Sequence, residues 1–495
     1  MLMPAPDKAT IARRREIAAD LRRIVAPDAV IEGEEERRVY ETDGLTAYRE
    51  APLLAVLPAT TAEVAAILRY CFQRRIKVVP RGAGTSLSGG ALPLADGIIL
   101  GMAKFSRIRE IDLANRCVVA EPGVTNLGIS TAVSHAGFFY APDPSSQIAC
   151  TIGGNVAENS GGVHCLKYGV TTNNVLGIEL VTIEGEILRL GGKGLDAGGY
   201  DLLGVMIGSE GLLGVVTEVT VRILPKPTTA RALLIAFPSS EDAGATVVAI
   251  IGAGIIPGGM EMMDRPAIHA AEDFVHAGYP LDAEALLIVE LDGPPAEVEH
   301  LIARVERVAR DNRAASCRIS NSEEERLRFW AGRKAAFPAV GRISPDYYCM
   351  DGTIPRKALP KVLLRMTELS ARFGLRVANV FHAGDGNLHP LILYNANAPG
   401  ELERAEEMGA EILKLCVEVG GVLTGEHGVG VEKRDLMPAM FNATDLDQQM
   451  RLKCAFDSEG LLNPGKVFPQ LRRCAELGRM HIHHGQMAFP DLPRF

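Results

Sequence analysis

The sequence predicts an α+β protein of two main domains, and three observations carry that prediction. A glycine-rich loop at residues 80–90, PRGAGTSLSGG, lies between two apolar runs, IKVV and GIIL, that both read as strands. Two prolines flanking Lys226 break the chain at residues 225–227. Beyond that break, strands and helices alternate in a way that implies an antiparallel sheet backed by helices.

The elements follow in order. Residues 8–24 have helical spacing, with Ile11, Ile17, Leu21 and Ile24 on one side. The acidic run Glu34, Glu35, Glu36 reads as a solvated face. Residues 53–57 form a short apolar strand. Thr60 or Thr61 then caps a helix running to Arg74, with Glu63 in its first turn. Strands are expected at 76–79, 97–100 and 118–121, and a short helix at 125–136. Residues 175–182 and 186–190 read as a hairpin turning at Glu184-Gly185. After Ala230 come a strand, a helix over 241–254, strands at 260–263 and 285–291, and a charged helix to about Arg310.

Bulk properties narrow the function. The chain has 495 residues, of which 47% are hydrophobic, so it can bury a sizeable core. A net charge of −9 without a basic stripe argues against a nucleic-acid binder. Aromatics at 5% disfavour a stacking platform for single strands. Nine scattered cysteines without a Cys-x-x-Cys favour reduced thiols in a cytoplasmic chain and argue against an iron–sulfur cluster here. No apolar run reaches the ~18 residues of a membrane span, and Arg13, Arg14 and Arg15 are not followed by a segment of export-signal type.

The glycine loop has a chemistry of its own. Gly82, Ala83 and Gly84 let the backbone turn sharply, and Thr85, Ser86 and Ser88 add hydroxyls. Successive N–H groups on such a concave face suit a pyrophosphate. A nicotinamide-binding unit needs strand, loop, then helix; strand, loop, strand fits a different dinucleotide binder. A second stretch at 142–162, PDPSSQIACTIGGNVAENSGG, allows backbone to approach a flat ligand at Gly153-Gly154-Asn155 and at Gly161-Gly162. A third, Gly208-Ser209-Glu210-Gly211 with LLGVVTEVTV, joins a turn to an alternating strand.

Together the three stretches resemble the vanillyl-alcohol oxidase type of flavin-binding domain, the PCMH-type FAD-linked oxidases. The resemblance implies a PCMH-type FAD-binding domain of two α+β subdomains over residues 1–226 and a cap domain over 227–453. It also implies a C-terminal segment, 454–495, that returns to the FAD domain. It places non-covalent FAD against Pro80, Arg81, Gly82, Ala83, Gly84, Thr85, Ser86, Leu87 and Ser88. Further contacts are implied for Pro142, Thr151, Gly153, Gly154, Asn155, Ala157, Asn159, Gly161 and Gly162, and for Glu210, Gly214 and Val216. Asn463, in Asn463-Pro464-Gly465-Lys466, either reaches the flavin ring or sits in an ordinary turn. His164 and Cys165 lie near the second stretch, but this branch binds FAD without a bond.

The second half carries two histidine motifs, FHAGDGNLH at 381–389 and GEHGVG at 425–430. His382 and His389 are too far apart for adjacent turns of one helix, but a tight loop could turn both to one point. Two imidazoles and a carboxylate suit a divalent cation with open positions; the alternative is hydrogen-bonded core histidines. These motifs look like paired signatures of FAD-dependent D-2-hydroxyacid dehydrogenases. That resemblance implies His382, His389 and Glu426 as ligands of a divalent metal (zinc or similar) and His427 as the base. It makes Arg333, in FWAGRK, the clamp for a substrate carboxylate, where a surface ion pair is the alternative. Trp330 reads as a core anchor and Lys334 as structural. Cys349 stands where one branch has a lysine for a second carboxylate, which argues for a monocarboxylate.

The implied reaction is oxidation of a small 2-hydroxy acid, glycolate to glyoxylate, with D-lactate to pyruvate as the alternative and a flavin-free scaffold as a third reading. Electrons would leave to a non-nicotinamide acceptor. A second flavin-domain-like subunit and an iron–sulfur subunit are implied as partners, with peripheral association at the inner face of the cell membrane. The final HIHHG reads as a tail or subunit contact.

Overall fold

The computed structural model describes residues 3–194, 198–469, 482–483 and 486–487. Most of the C-terminal histidine run lies outside these; Ile482–His483 pairs with Gln486–Met487.

The first half holds two main sheets and a two-stranded pairing of Phe138–Phe139 with Leu224–Pro225. In the first, Leu54–Val56, Gly97–Gly101 and Lys77–Arg81 are parallel neighbours, and Val30–Ile31 adds an antiparallel edge. The crossover is the helix Thr61–Arg74, started by a capping box between Thr60 and Glu63 and packed through Val64, Ile67, Leu68 and Cys71. Parallel strands present their carboxyl ends together, and a crevice there is where α/β sheets bind ligands. The glycine loop leaves Arg81 at that end. Residues 461–463 return to this sheet: Val78 N donates to Leu461 O at 2.9 Å and Asn463 N donates to Val78 O at 2.7 Å. Leu461 and Leu462 are buried in the core of this sheet and its helix.

The second sheet is antiparallel, in the order Ile108–Asp112, Cys117–Ala120, Val215–Arg222, Val175–Val181, Ile187–Gly191. The helices Asn126–Ser134 and Ile152–Glu158 pack on it through Ile129, Val133, Ile152 and Val156. The stretch at 142–162 therefore contains a helix, Ile152–Glu158. Thr151 stands at its N-terminal boundary without a side-chain capping bond, and Asn159, in the left-handed region at φ 53°, ends it.

The second half is one seven-stranded sheet. Its order is Ser316–Ile319, Thr229–Phe237, Ala285–Gly293, Gly259–Asp264, Val377–Phe381, Pro390–Tyr394, Asp346–Cys349, and every pairing is antiparallel. Leu233, Ile235 and Phe237 face the helices Ser240–Gly252 and Pro295–Asp311, while Leu234 and Ala236 face Arg265–Val275 and Glu323–Lys334. Helices thus cover both faces, not one. That is why the central strands are unbroken apolar runs rather than alternating ones. No helix among the described residues is long and apolar enough to cross a membrane. Among the described residues, Cys71, Cys117, Cys150, Cys165, Cys317, Cys349 and Cys416 are free thiols.

Candidate functional site

A cleft of about 500 Å³ runs between the two halves. One wall is the glycine loop with Pro80, Arg81, Gly82, Ala83, Gly84, Thr85, Ser86 and Leu87. A second is the start of the short helix, with Thr151, Gly153, Gly154, Asn155 and Ala157; a third is the turn with Glu210, Gly214 and Val216. Helices and loops of the second half close the cleft with Lys334, Phe337 and Pro338 and with His389, Glu426 and His427, and the strand Asp346–Cys349 adds Tyr347. Arg81 is steadied from behind, its guanidinium donating to Thr42 O at 2.7 Å and lying over the Tyr40 ring.

Six residues expected at the cofactor do not line this cleft. Ser88 is fully buried, and its carbonyl accepts from Val431 N and Glu432 N at 2.9 and 3.1 Å. Pro142 O accepts from Asn126 Nδ2 at 3.0 Å, and Asn159 Oδ1 accepts from Thr172 N at 2.9 Å. Gly161 and Gly162 face a second cavity of about 280 Å³, behind Glu426 and His382. Asn463 is a strut: its Nδ2 donates to Gly90 O at 3.0 Å and Glu210 O at 2.7 Å, joining two cleft walls. His164 and Cys165 are also off the cleft. His164 bridges Asp143 at 2.8 Å and Glu290 at 3.2 Å, and burial raises the Cys165 thiol well above its usual range.

The histidine loops converge at one end of the cleft. The ligand atoms of His382, His389 and Glu426 lie within 4.8 Å of one another. His382 Nε2 is 3.2 Å and His389 Nε2 3.4 Å from Glu426 Oε1. On its far side His382 Nδ1 meets Glu261 Oε1 at 2.7 Å. A carboxylate behind an imidazole fixes its orientation and tautomer, as in metal sites. His389 Nε2 and Glu426 Oε2 are buried without a hydrogen-bond partner. Unsatisfied buried acceptors cost free energy, and a cation between them would satisfy both. Asp351, His389 and His427 form a second such group, but Asp351 is already saturated by other donors.

Asp351 was not anticipated from the sequence. It is fully buried and accepts from Thr424 Oγ1 at 2.6 Å, from the N–H groups of Gly425, Glu426 and His427 at 3.0, 3.2 and 2.9 Å, and from Lys433 Nζ at 3.2 Å. The Glu426–His427 loop is therefore wrapped around one carboxylate. Burial alone would raise Asp351; Lys433, His427 and His389 reverse this and hold it well below the carboxylate range.

The titration of the cluster follows from the same neighbours. Burial would raise Glu426, but His382, His389 and His427 hold it at about 2. Burial would lower His382, but Glu261 and Glu426 raise it well above the usual value. A cation takes the place of a proton on such ligands. Burial lowers His427 to about 4 against the pull of Asp351, so its imidazole is neutral near pH 7. Its ring stacks on His389, centroids 4.9 Å apart and 10° from parallel, and its Nδ1 is buried without a partner.

Arg333 is the main departure. It does not line the cleft; it is 1% exposed and bonded through Nε to Glu261 Oε2 at 2.7 Å. Its Nη2 is 2.6 Å from the same oxygen but off the hydrogen-bonding direction, and stays unsatisfied. Lys334, expected to be structural, is on the wall instead. Successive residues on a helix point about 100° apart, so the two cations cannot share one direction. Trp330 is a core anchor, with its indole N–H donating to Glu290 Oε2 at 2.5 Å. The sequence reading also missed Glu158, Phe337, Pro338 and Tyr347. Glu158 lies inside the second stretch but was given no role there, and Phe337, Pro338 and Tyr347 reach the cleft through tertiary packing.

Comparison with known proteins adds two family matches: residues 52–191 match an FAD binding domain, and residues 226–467 match the C-terminal domain of FAD linked oxidases. The chain is 58% identical to the glycolate oxidase subunit GlcD of Escherichia coli K12, over 97% of each chain. It is 31% identical to a D-lactate dehydrogenase of Anaerostipes hadrus, over 90% of this chain and 95% of that one. A solved p-cresol methylhydroxylase with substrate bound shares the fold at a TM-score of 0.80 and 17% identity, covering 94% of this chain and 98% of that one.

Proposed function

Because the chain belongs to the FAD-linked oxidases, we propose that it oxidises glycolate to glyoxylate as the flavin-bearing subunit of a glycolate oxidase. The observation that carries this reading is the convergence of His382, His389, Glu426 and His427 at one end of a dinucleotide-sized cleft. Identity to a glycolate oxidase subunit over nearly the whole chain supports the choice of substrate.

Bound FAD supplies the two-electron acceptor. The residues do the rest. Glycolate loses its hydroxyl proton and the hydride on the adjacent carbon. His427, neutral and with Nδ1 unpartnered, takes the proton. His382, His389 and Glu426 would hold a divalent cation, which would supply Lewis acidity toward the substrate oxygens. Arg333, buried behind the cleft beside Glu261 with Nη2 lacking a hydrogen bond, would take the substrate carboxylate, and Lys334 at the wall supplies positive charge for its approach. Phe337, Pro338 and Tyr347 exclude water from the same end. Cys349, buried two residues beyond Tyr347, offers nothing to a second carboxylate. Electrons leave to a non-nicotinamide acceptor through further subunits, a second flavin-domain-like chain and an iron–sulfur chain, at the inner face of the membrane. The word "subunit" in the relative's name supports the assembly.

Anaerobic mixing tests the substrate. Glycolate should bleach the flavin with higher kcat/KM than D-lactate; the reverse order would move the chain to the D-lactate dehydrogenases, the second reading its 31% relative supports. Arg333→Lys keeps a charge beside Glu261 but removes the fork, and should raise the KM for glycolate roughly tenfold or more. An unchanged KM would remove Arg333 from the carboxylate. Metal analysis should find about one divalent ion per chain. His382→Ala should lose that ion and keep its FAD.

A further inference from the structure

Glu210 sits in the turn between Leu202–Met206 and Val215–Arg222. It is a non-glycine residue in the left-handed region, at φ 51°. Such backbone is strained and persists where surroundings over-determine it. Here they do. Its N–H donates to Ala157 O at 2.8 Å, and its carbonyl accepts from Asn463 Nδ2 at 2.7 Å. The backbone of Glu210 is thus held on both sides.

What its side chain reaches is the imidazole loop. Oε1 accepts from Val429 N and Oε2 from Gly430 N, both at 2.7 Å. The next two N–H groups, of Val431 and Glu432, go to Ser88 O in the glycine loop. Four consecutive backbone donors after His427 are thus tied to Glu210 and Ser88 of the first half. Gly428, at φ 81°, packs so closely that a Cβ there would run into Glu158 and lie 2.9 Å from Glu210 Cδ. The residues before it, 425–427, are tied to Asp351 of the other half. His427 stands between the two anchorages.

We propose that Glu210 is a positioning residue, whose carboxylate sets where the His427 imidazole stands relative to a flavin in the cleft. Two rigid ends leave the ring little freedom, and both carboxyl oxygens of Glu210 hold backbone N–H groups of the loop at 2.7 Å. Releasing one end lets His427 drift. Misplacement of a reacting group by about 1 Å can cost ~10²-fold in rate. The proposal rests on His427 being the proton acceptor of the reaction above.

The test uses the FAD-loaded full chain and Glu210→Gln, which keeps the size of the side chain but turns one acceptor into a donor. Glycolate should reduce the bound flavin about 10–100-fold more slowly than in the wild type. With the rate taken per bound FAD, KM for glycolate and reduction by dithionite, which needs no base, should stay as they are. Glu210→Asp, with its shorter acceptor, should recover part of the rate, and it stands in if the glutamine variant does not fold. Unchanged reduction by glycolate overturns the proposal, and so does a loss that only tracks lost FAD. If glycolate fails to bleach even the wild type, the glycolate reading fails first and this proposal falls with it.

Discussion

Replacing His427 by asparagine is expected to slow glycolate-driven reduction of the flavin by about 10²–10⁴-fold, the range a positioned general base contributes. The reason is the isolation of this ring. It is buried, its Nδ1 has no partner, and burial with His389 and Lys433 beside it keeps it neutral. An asparagine fits the space and cannot take the proton. FAD binding should survive, because the glycine loop, the short helix and the turn at Glu210 do not use His427. Stopped-flow reduction by glycolate, with dithionite as the control, reads both. A variant that reduces as fast as the wild type would remove His427 from the chemistry.

Replacing Asp351 by alanine is expected to destabilise the protein by about 3–5 kcal/mol, the cost of removing one partner of a buried charge pair. Lys433 is fully buried, and its other acceptors are Thr424 Oγ1 and Gly428 O, neither charged. Without Asp351 its ammonium loses its hydrogen-bonded carboxylate, and Glu432, at 3.7 Å, is itself raised to about 8 by burial. Three loop N–H groups also lose their acceptor. The urea midpoint should fall accordingly, and the Glu426–His427 loop should lose its shape, so metal content should drop with it. Asp351→Asn keeps an acceptor but no charge, and should be milder. Equal stability of the alanine variant and the wild type would show that the loop is held by something else.

Both predictions turn on residues of different legibility. His427 was marked by its motif, GEHGVG, whose glycines allow three close approaches: of Gly425 to Asn387, of Gly428 to Glu158 and Glu210, and of Gly430 to Ser88. Asp351 carried no mark, because its donors come from a loop more than seventy residues away. The glycine loop was legible because sharp turns between strands need small residues at fixed spacing. Glu261 was not: it is one letter in an apolar strand, and its meaning depends on His382 and Arg333 arriving beside it.

The sequence by itself determined the local chemistry: which stretches turn tightly enough to cradle a dinucleotide, which loops carry imidazoles, and that an antiparallel sheet follows the break at Lys226. These are matters of residue type and near spacing. Only the tertiary structure decided direction. It turned Arg333 inward to Glu261 and Lys334 outward to the cleft, and covered the large sheet on both faces. It also tied the His427 loop to Glu210 on one side and Asp351 on the other. The physical reason is that a side chain's role is set by the partners it meets, and those partners come from chain segments whose separation in sequence carries no record of their meeting.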